Sequence, residues 1–149
     1  MTRIVAGSAK GRTLAVPKSG TRPTSERVRE ALFSRLDHMN VLDGTTVLDL
    51  YAGTGALGLE ALSRGSAHAT LVERSSAAAR VASANVRSTG LPARVVTADA
   101  RSFLAARTGE ELRGDIDLVF IDPPYDIAED DMTTVLSSLG PWIGADALV

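Results

Sequence analysis

A chain of 149 residues, 44% apolar and 23% charged, is sized and composed for one globular domain with a proper core. No apolar run reaches the roughly eighteen residues that a membrane helix needs, and the opening MTRIVAGSAKGR lacks the apolar stretch of a secretory signal. With no cysteine there is neither a disulfide framework nor a thiolate metal site, so a cytoplasmic protein with no metal and no membrane partner is expected.

The net charge of −2 is unevenly spread. Residues 1–36 carry eight basic and two acidic side chains, a net +6, which leaves −8 for the rest. Such asymmetry suggests a basic arm that meets a polyanion, joined to an acidic body. Two short runs, RIVAGS and RTLAVP, predict a hairpin that pairs Arg3–Ser8 with Arg12–Val16. After the polar loop KSGTRPT, a helix is expected over 25–38, with Thr24 as N-cap and Val28, Ala31, Leu32 and Leu36 at helical spacing.

From Thr46 the pattern becomes a regular alternation. TVLDLY, HATLVE, ARVVTA and IDLVFID read as strands; ALGLEALSRG, Ser76–Ser88 closed by Gly90, RSFLAART and EDDMTTVLSSLG read as helices. Alternation of this kind predicts an α/β fold, a Rossmann-like mainly parallel sheet with helices on both faces. The final DALV reads as the start of another strand, so further C-terminal strands are expected to be missing from the sheet.

VLDLYAGTGALGLEAL places Gly53, Gly55 and Gly58 in G-x-G-x-x-G spacing between a strand and a helix. Glycine leaves no Cβ between the backbone and a ligand, and the strand end with the helix start forms a nucleotide crevice. The spacing alone also fits an NAD-dependent dehydrogenase. Three acids narrow the choice. Asp49 sits inside an apolar strand, where a carboxylate calls for a cation or donor such as an amino-acid ammonium group. Glu73 ends the second strand, placed to take ribose hydroxyls, and Asp99 stands at the end of the third, placed to accept from an adenine amine. Ammonium, ribose and adenine together describe S-adenosylmethionine. The expected cofactor-binding set is Asp49, Tyr51, Gly53, Thr54, Gly55, Glu73, Arg74, Asp99 and Ala100.

FIDPPYD then ends a core strand on an acid, two prolines and an aromatic ring. Neither proline can donate to a ladder, so the strand must stop there. Asp122 and the Pro123 carbonyl offer two acceptors for the hydrogens of an exocyclic amine, Pro124 restricts Pro123 to an extended conformation, and Tyr125 offers a face for a base. These four form the expected catalytic group.

DLYAGTG followed by FIDPPY resembles the Rossmann-type S-adenosylmethionine-dependent methyltransferases that act on nucleobase amines. RIVAGSAKGR, GTRPTSERVREALFSRL, VLDLYAGTGALGLEALSRG and VFIDPPY together are similar to the RsmD family, which methylates a guanine N2 of bacterial 16S ribosomal RNA. The resemblance covers nearly the whole chain, and it implies 16S rRNA within an assembling 30S subunit as partner and a monomer as the working form. It also implies an RNA-facing unit, residues 1–38, ahead of a cofactor-binding unit, 39–149. Arg3, Lys10, Arg12, Arg22, Thr24 and Arg27 are its expected RNA contacts, while Arg29 could equally pair with a nearby acid. A DNA adenine-N6 methyltransferase and a non-catalytic RNA-binding assembly module remain as alternatives.

Overall fold

The computed structural model describes residues 2–16, 26–106, 116–123, 127 and 129–149, with the backbone alone for 144–146. A two-residue antiparallel hairpin, β1 (Thr2–Arg3) and β2 (Thr13–Leu14), precedes α1 (Glu26–His38). Then follow β3 (Thr46–Leu50), α2 (Ala56–Ser63), β4 (His68–Glu73), α3 (Ser76–Thr89), β5 (Ala93–Thr97) and α4 (Ala100–Ala105). β6 (Ile116–Ile121), α5 (Glu129–Ser138), a 3-10 turn (Gly140–Trp142) and β7 (Ile143–Leu148) complete the order among the described residues.

Five strands form one parallel sheet in the order β5-β4-β3-β6-β7. The chain builds outward from β3 on one side through β4 and β5, then returns to β3's other side for β6. That reversal leaves the carboxyl ends of β3 and β6 adjacent, with Asp49 opposite Phe120 and Leu50 opposite Ile121. In open α/β sheets such a reversal is where ligands bind.

Strand alternation explains the two cores. Val47, Ala69, Leu71, Leu118 and Phe120 point to one face, where Phe33 and Leu36 of α1 and Leu59 and Leu62 of α2 cover them. Leu48, Leu50, Val72 and Val119 point to the other, under Phe103 and Leu104 of α4, Val135 of α5 and Trp142. The Trp142 ring stacks on Phe103 at 5.0 Å and donates its Nε1–H to the Leu104 carbonyl at 2.9 Å. α3 is bounded as its sequence dictates: the Ser75 hydroxyl accepts from the Ala78 N–H, and Gly90 closes the helix at φ 68°.

Two expectations need correction at the N-terminus. The hairpin ladder spans only Thr2–Arg3 and Thr13–Leu14, because Val5 to Ala9 leaves it to bond α2 instead. On α1 the buried stripe is Arg29, Phe33 and Leu36, whereas Val28, Ala31 and Leu32 are exposed. The Phe33 ring lies 5.5 Å from Phe120, and this contact, together with a buried ion pair of Arg29, turns the helix.

Candidate active site

The turn after β3 begins with strain. Tyr51 holds φ at 59°, a left-handed conformation that costs a non-glycine residue about 1–2 kcal/mol. Gly53 (φ 58°) and Gly55 (φ 87°) continue the turn, and a Cβ on Gly53 would meet open space. Gly58 answers to packing instead: its Cβ would stand 2.3 Å from Leu71 Cδ2, so only glycine lets α2 lie this close to the sheet.

Asp49 projects from β3 beneath this turn and is 1% exposed. Its Oδ2 accepts the Gly58 N–H at 3.1 Å, acting as a cap that α2 lacks at Gly55. Oδ1 is buried with no hydrogen-bond partner among the described residues. Burial pushes the Asp49 carboxyl up to about 8; the Gly58 N–H opposes that rise, and the charges of Asp122 and Glu73 add to it. An orphaned acceptor in a raised-pKa carboxyl fits a cationic ligand group.

Glu73 bridges two backbone donors, Gly53 N–H at 2.9 Å and Ser75 N–H at 2.7 Å. An ionised carboxylate has about four acceptor positions, so Glu73 fixes the turn and keeps capacity for hydroxyls. Asp99 stands two residues beyond β5 as the N-cap of α4, accepting from the Ser102 N–H at 3.3 Å. Arg101 lies 3.7 Å from Asp99 and 2.8 Å from Asp131. Burial, with Asp99 and Asp131 next in weight, raises the Tyr51 hydroxyl above its ordinary range. Ala100 is buried at the start of α4, and Arg74 is exposed beside Glu73. Six of the nine expected cofactor positions thus lie on the turn and the β4 end, Asp49 lies in β3 beneath the turn, and Asp99 and Ala100 lie on the cap of the next crossover.

Asp122 and Pro123 follow directly from β6, half-buried, and the Asp122 charge is felt at Asp49 across the strand reversal. Pro124 and Tyr125 lie outside the described residues, as do Arg22 and Thr24 of the arm. Arg3 pairs with Glu26 at 3.1 Å, and Arg12 donates to the Ser88 carbonyl at 3.1 Å. Lys10 and Arg27 are exposed.

The glycine turn and Asp122–Pro123 thus follow two adjacent parallel strands, β3 and β6. A family model described as "Conserved hypothetical protein 95" matches residues 2–149. Ribosomal RNA small subunit methyltransferase D of Escherichia coli K12 is 41% identical over 149 residues, covering 99% of this chain and 72% of that protein. The chain belongs to the RsmD family. A solved structure of a hypothetical protein from Thermus thermophilus matches with a TM-score of 0.82 at 39% identity, over 93% of this chain and 78% of the other. A 4-amino-L-phenylalanine/4-methylamino-L-phenylalanine methyltransferase of Streptomyces pristinaespiralis is 40% identical over 114 residues, 74% of this chain and 35% of that protein. This member of the RsmD family is therefore a methyltransferase with the parallel Rossmann-like sheet expected of one.

Sequence reasoning overlooked the groups that join the basic arm to this RsmD-family body. Glu60 of α2 is fully buried and accepts the Val5 N–H at 2.8 Å, the Ala6 N–H at 3.1 Å and Arg64 Nε at 2.9 Å. Arg29 Nε stands 3.5 Å from the same carboxylate, so Arg29 pairs with an acid, and its Nη2 donates to the Arg3 carbonyl. Ser63 accepts the Ala9 N–H at 2.9 Å and donates to the Ala6 carbonyl at 2.6 Å. Between them, Gly7 (φ 88°) passes so near that a Cβ would fall 1.8 Å from the Ser63 carbonyl oxygen. Asn85 of α3 bonds both Ala15 and Thr54.

Proposed function

We propose that this protein methylates the exocyclic N2 amine of a guanine in small-subunit ribosomal RNA, with S-adenosylmethionine as the methyl donor. The observation that carries the reading is the pairing of β3 with β6, which opens the glycine turn and Asp122–Pro123 from neighbouring strands at one strand reversal. The likeness to ribosomal RNA small subunit methyltransferase D of Escherichia coli supports an RNA substrate. The Streptomyces relative supports the acceptor chemistry, because the substrate in its name is also an amine on an aromatic ring.

The residues fit the donor. Asp49 Oδ1 is a buried acceptor that suits the ammonium group, directly or through water. Spare acceptor positions on Glu73 suit the ribose hydroxyls, and Asp99 suits the adenine amine. The open space at Gly53 admits a ligand against the backbone. When bound, S-adenosylmethionine supplies an electrophilic methyl group carried on a sulfonium.

An exocyclic guanine amine is a poor nucleophile because its lone pair is delocalised into the ring. Asp122 and the Pro123 carbonyl accept its two hydrogens and so turn the lone pair outward, and Asp122 takes the proton that the amine sheds. Tyr125 stacks on the base, an interaction worth about 1–3 kcal/mol in single-strand recognition. Residues 1–38 hold the flanking phosphates through exposed cations such as Lys10 and Arg27, which positions RNA without reading sequence. No helix among the described residues is long and apolar enough to cross a membrane, and the setting proposed is the cytoplasm, on an assembling 30S subunit, as a monomer.

The test is tritiated methyl transfer to 30S particles and to naked 16S rRNA from cells lacking the enzyme, followed by nucleoside analysis. Labelled N2-methylguanosine is expected. Label on duplex DNA alone would favour an adenine methyltransferase, and no label on any nucleic acid, despite cofactor binding, would leave only an assembly role.

A further inference from the structure

Asn85 lies within α3, 2% exposed, and its amide is nearly saturated. Oδ1 accepts the Ala15 N–H at 2.7 Å, while Nδ2 donates to the Ala15 carbonyl at 3.1 Å and to the Thr54 carbonyl at 3.0 Å. A side-chain amide has two donor hydrogens and two acceptor lone pairs. This one therefore pairs with Ala15 as a neighbouring strand would, and still reaches a second segment. Thr54 stands between Gly53 and Gly55 in the cofactor turn. Ala15 follows β2 at the base of the basic arm, which Arg12 also fastens to the end of α3 through the Ser88 carbonyl. One buried side chain thus touches the two segments to which the proposed function gives cofactor and RNA duties.

We propose that Asn85 is a positioning residue that couples the two sites, so that cofactor at the glycine turn and RNA on the arm each tighten the other's binding. The Thr54 carbonyl cannot rotate without breaking its bond to Nδ2, and a shift of that amide withdraws the same group from Ala15. Whichever ligand fixes its own segment lowers the ordering cost left for the other. The effect is reciprocal by thermodynamic necessity, the factor being equal in both directions.

This inference rests on the proposed function for the identity of the two ligands, and the experiment separates the two. Binding of S-adenosylhomocysteine is measured by calorimetry with and without a 16S rRNA fragment, and binding of that fragment with and without S-adenosylhomocysteine. The wild-type chain is expected to show the same tightening, about fivefold or more, in both directions. Asn85→Leu, close in volume, removes all three hydrogen bonds; Ala15→Pro deletes one N–H at an exposed position and leaves α3 intact. Asn85→Leu is expected to bring the factor close to one; Ala15→Pro, which keeps the Nδ2 bond to the Ala15 carbonyl and leaves Oδ1 without its donor, is expected to reduce the factor and to lower the unliganded melting temperature by a few degrees. A purely structural role would weaken both affinities and leave the factor as it was. A factor of one in the wild type, or an unchanged factor in Ala15→Pro, overturns the inference, and Ala15→Pro decides alone if Asn85→Leu does not fold. Methyl transfer by the wild type is recorded on the same fragment: transfer without coupling rejects this inference alone, whereas no transfer and no RNA binding reject the proposed function.

Discussion

Gly58 donates its backbone N–H to one oxygen of Asp49 at 3.1 Å and leaves the other oxygen buried without a partner among the described residues. A helix N-terminus favours negative charge, but here burial outweighs it, and the carboxyl sits at about 8.

Asp49 ties the stability of the fold to pH. The unfolded chain releases the Asp49 proton near the ordinary value of 3.8, whereas the folded protein keeps it to about 8. Stability from this group is therefore fully present below the lower value and falls as pH rises toward the upper one. Asp49→Asn is expected to flatten the decline in melting temperature across that window. It should also abolish the proton release that accompanies S-adenosylmethionine binding at neutral pH, read as the buffer dependence of the calorimetric heat. Identical heats in wild type and variant would show that the cofactor does not draw on this carboxylate.

Asp122→Ala is expected to lower the rate of methyl transfer by roughly 10²–10⁴-fold, the range for a positioned proton acceptor. Affinity for S-adenosylmethionine should stay the same, because the role proposed for Asp122 is on the amine. Single-turnover rates and calorimetry check both halves, and surviving transfer would reject the role given to the acid after β6.

Glu60→Ala removes a buried carboxylate from the Val5 and Ala6 donors and from Arg29 and Arg64. Breaking a buried pair on one side typically costs about 3–5 kcal/mol, and urea denaturation should show a loss of that order. A loss below about 1 kcal/mol would mean that the network behaves as an exposed ion pair.

The exposed cations give a salt test. If Lys10 and Arg27 both lie on phosphates, their joint replacement by alanine lowers the slope of log affinity against log salt by roughly 1.4, the single-strand value for two contacts. An unchanged slope would move the RNA path off this face.

The sheet was legible because its signals are local. HATLVE is β4 to the residue, and Gly90 ends α3 because the chain needs a left-handed turn there. The glycine turn was legible for the same reason, since Gly53 and Gly55 stand directly between β3 and α2. Glu60 was not legible, since one acid in GLEALS reads as a solvated position until the helix is seen to be buried from Gly58 to Ser63. Its partners lie 54 and 55 residues away, and those of Asn85 lie 31 and 70 away, distances that periodicity does not register. The α1 stripe misled for the same reason: a buried arginine at position 29 is chosen by Glu60, not by its neighbours in sequence.

The placement of Glu60 also sets an order of events during synthesis. Residues 2–16 leave the ribosome ahead of their anchors at Glu60, Ser63 and Asn85, which follow more than forty residues later. Contacts of such separation form late, after the segments between them have closed. The arm is therefore made well before the helices that anchor it, and its cationic surface takes shape only once α2 and α3 are in place to hold it.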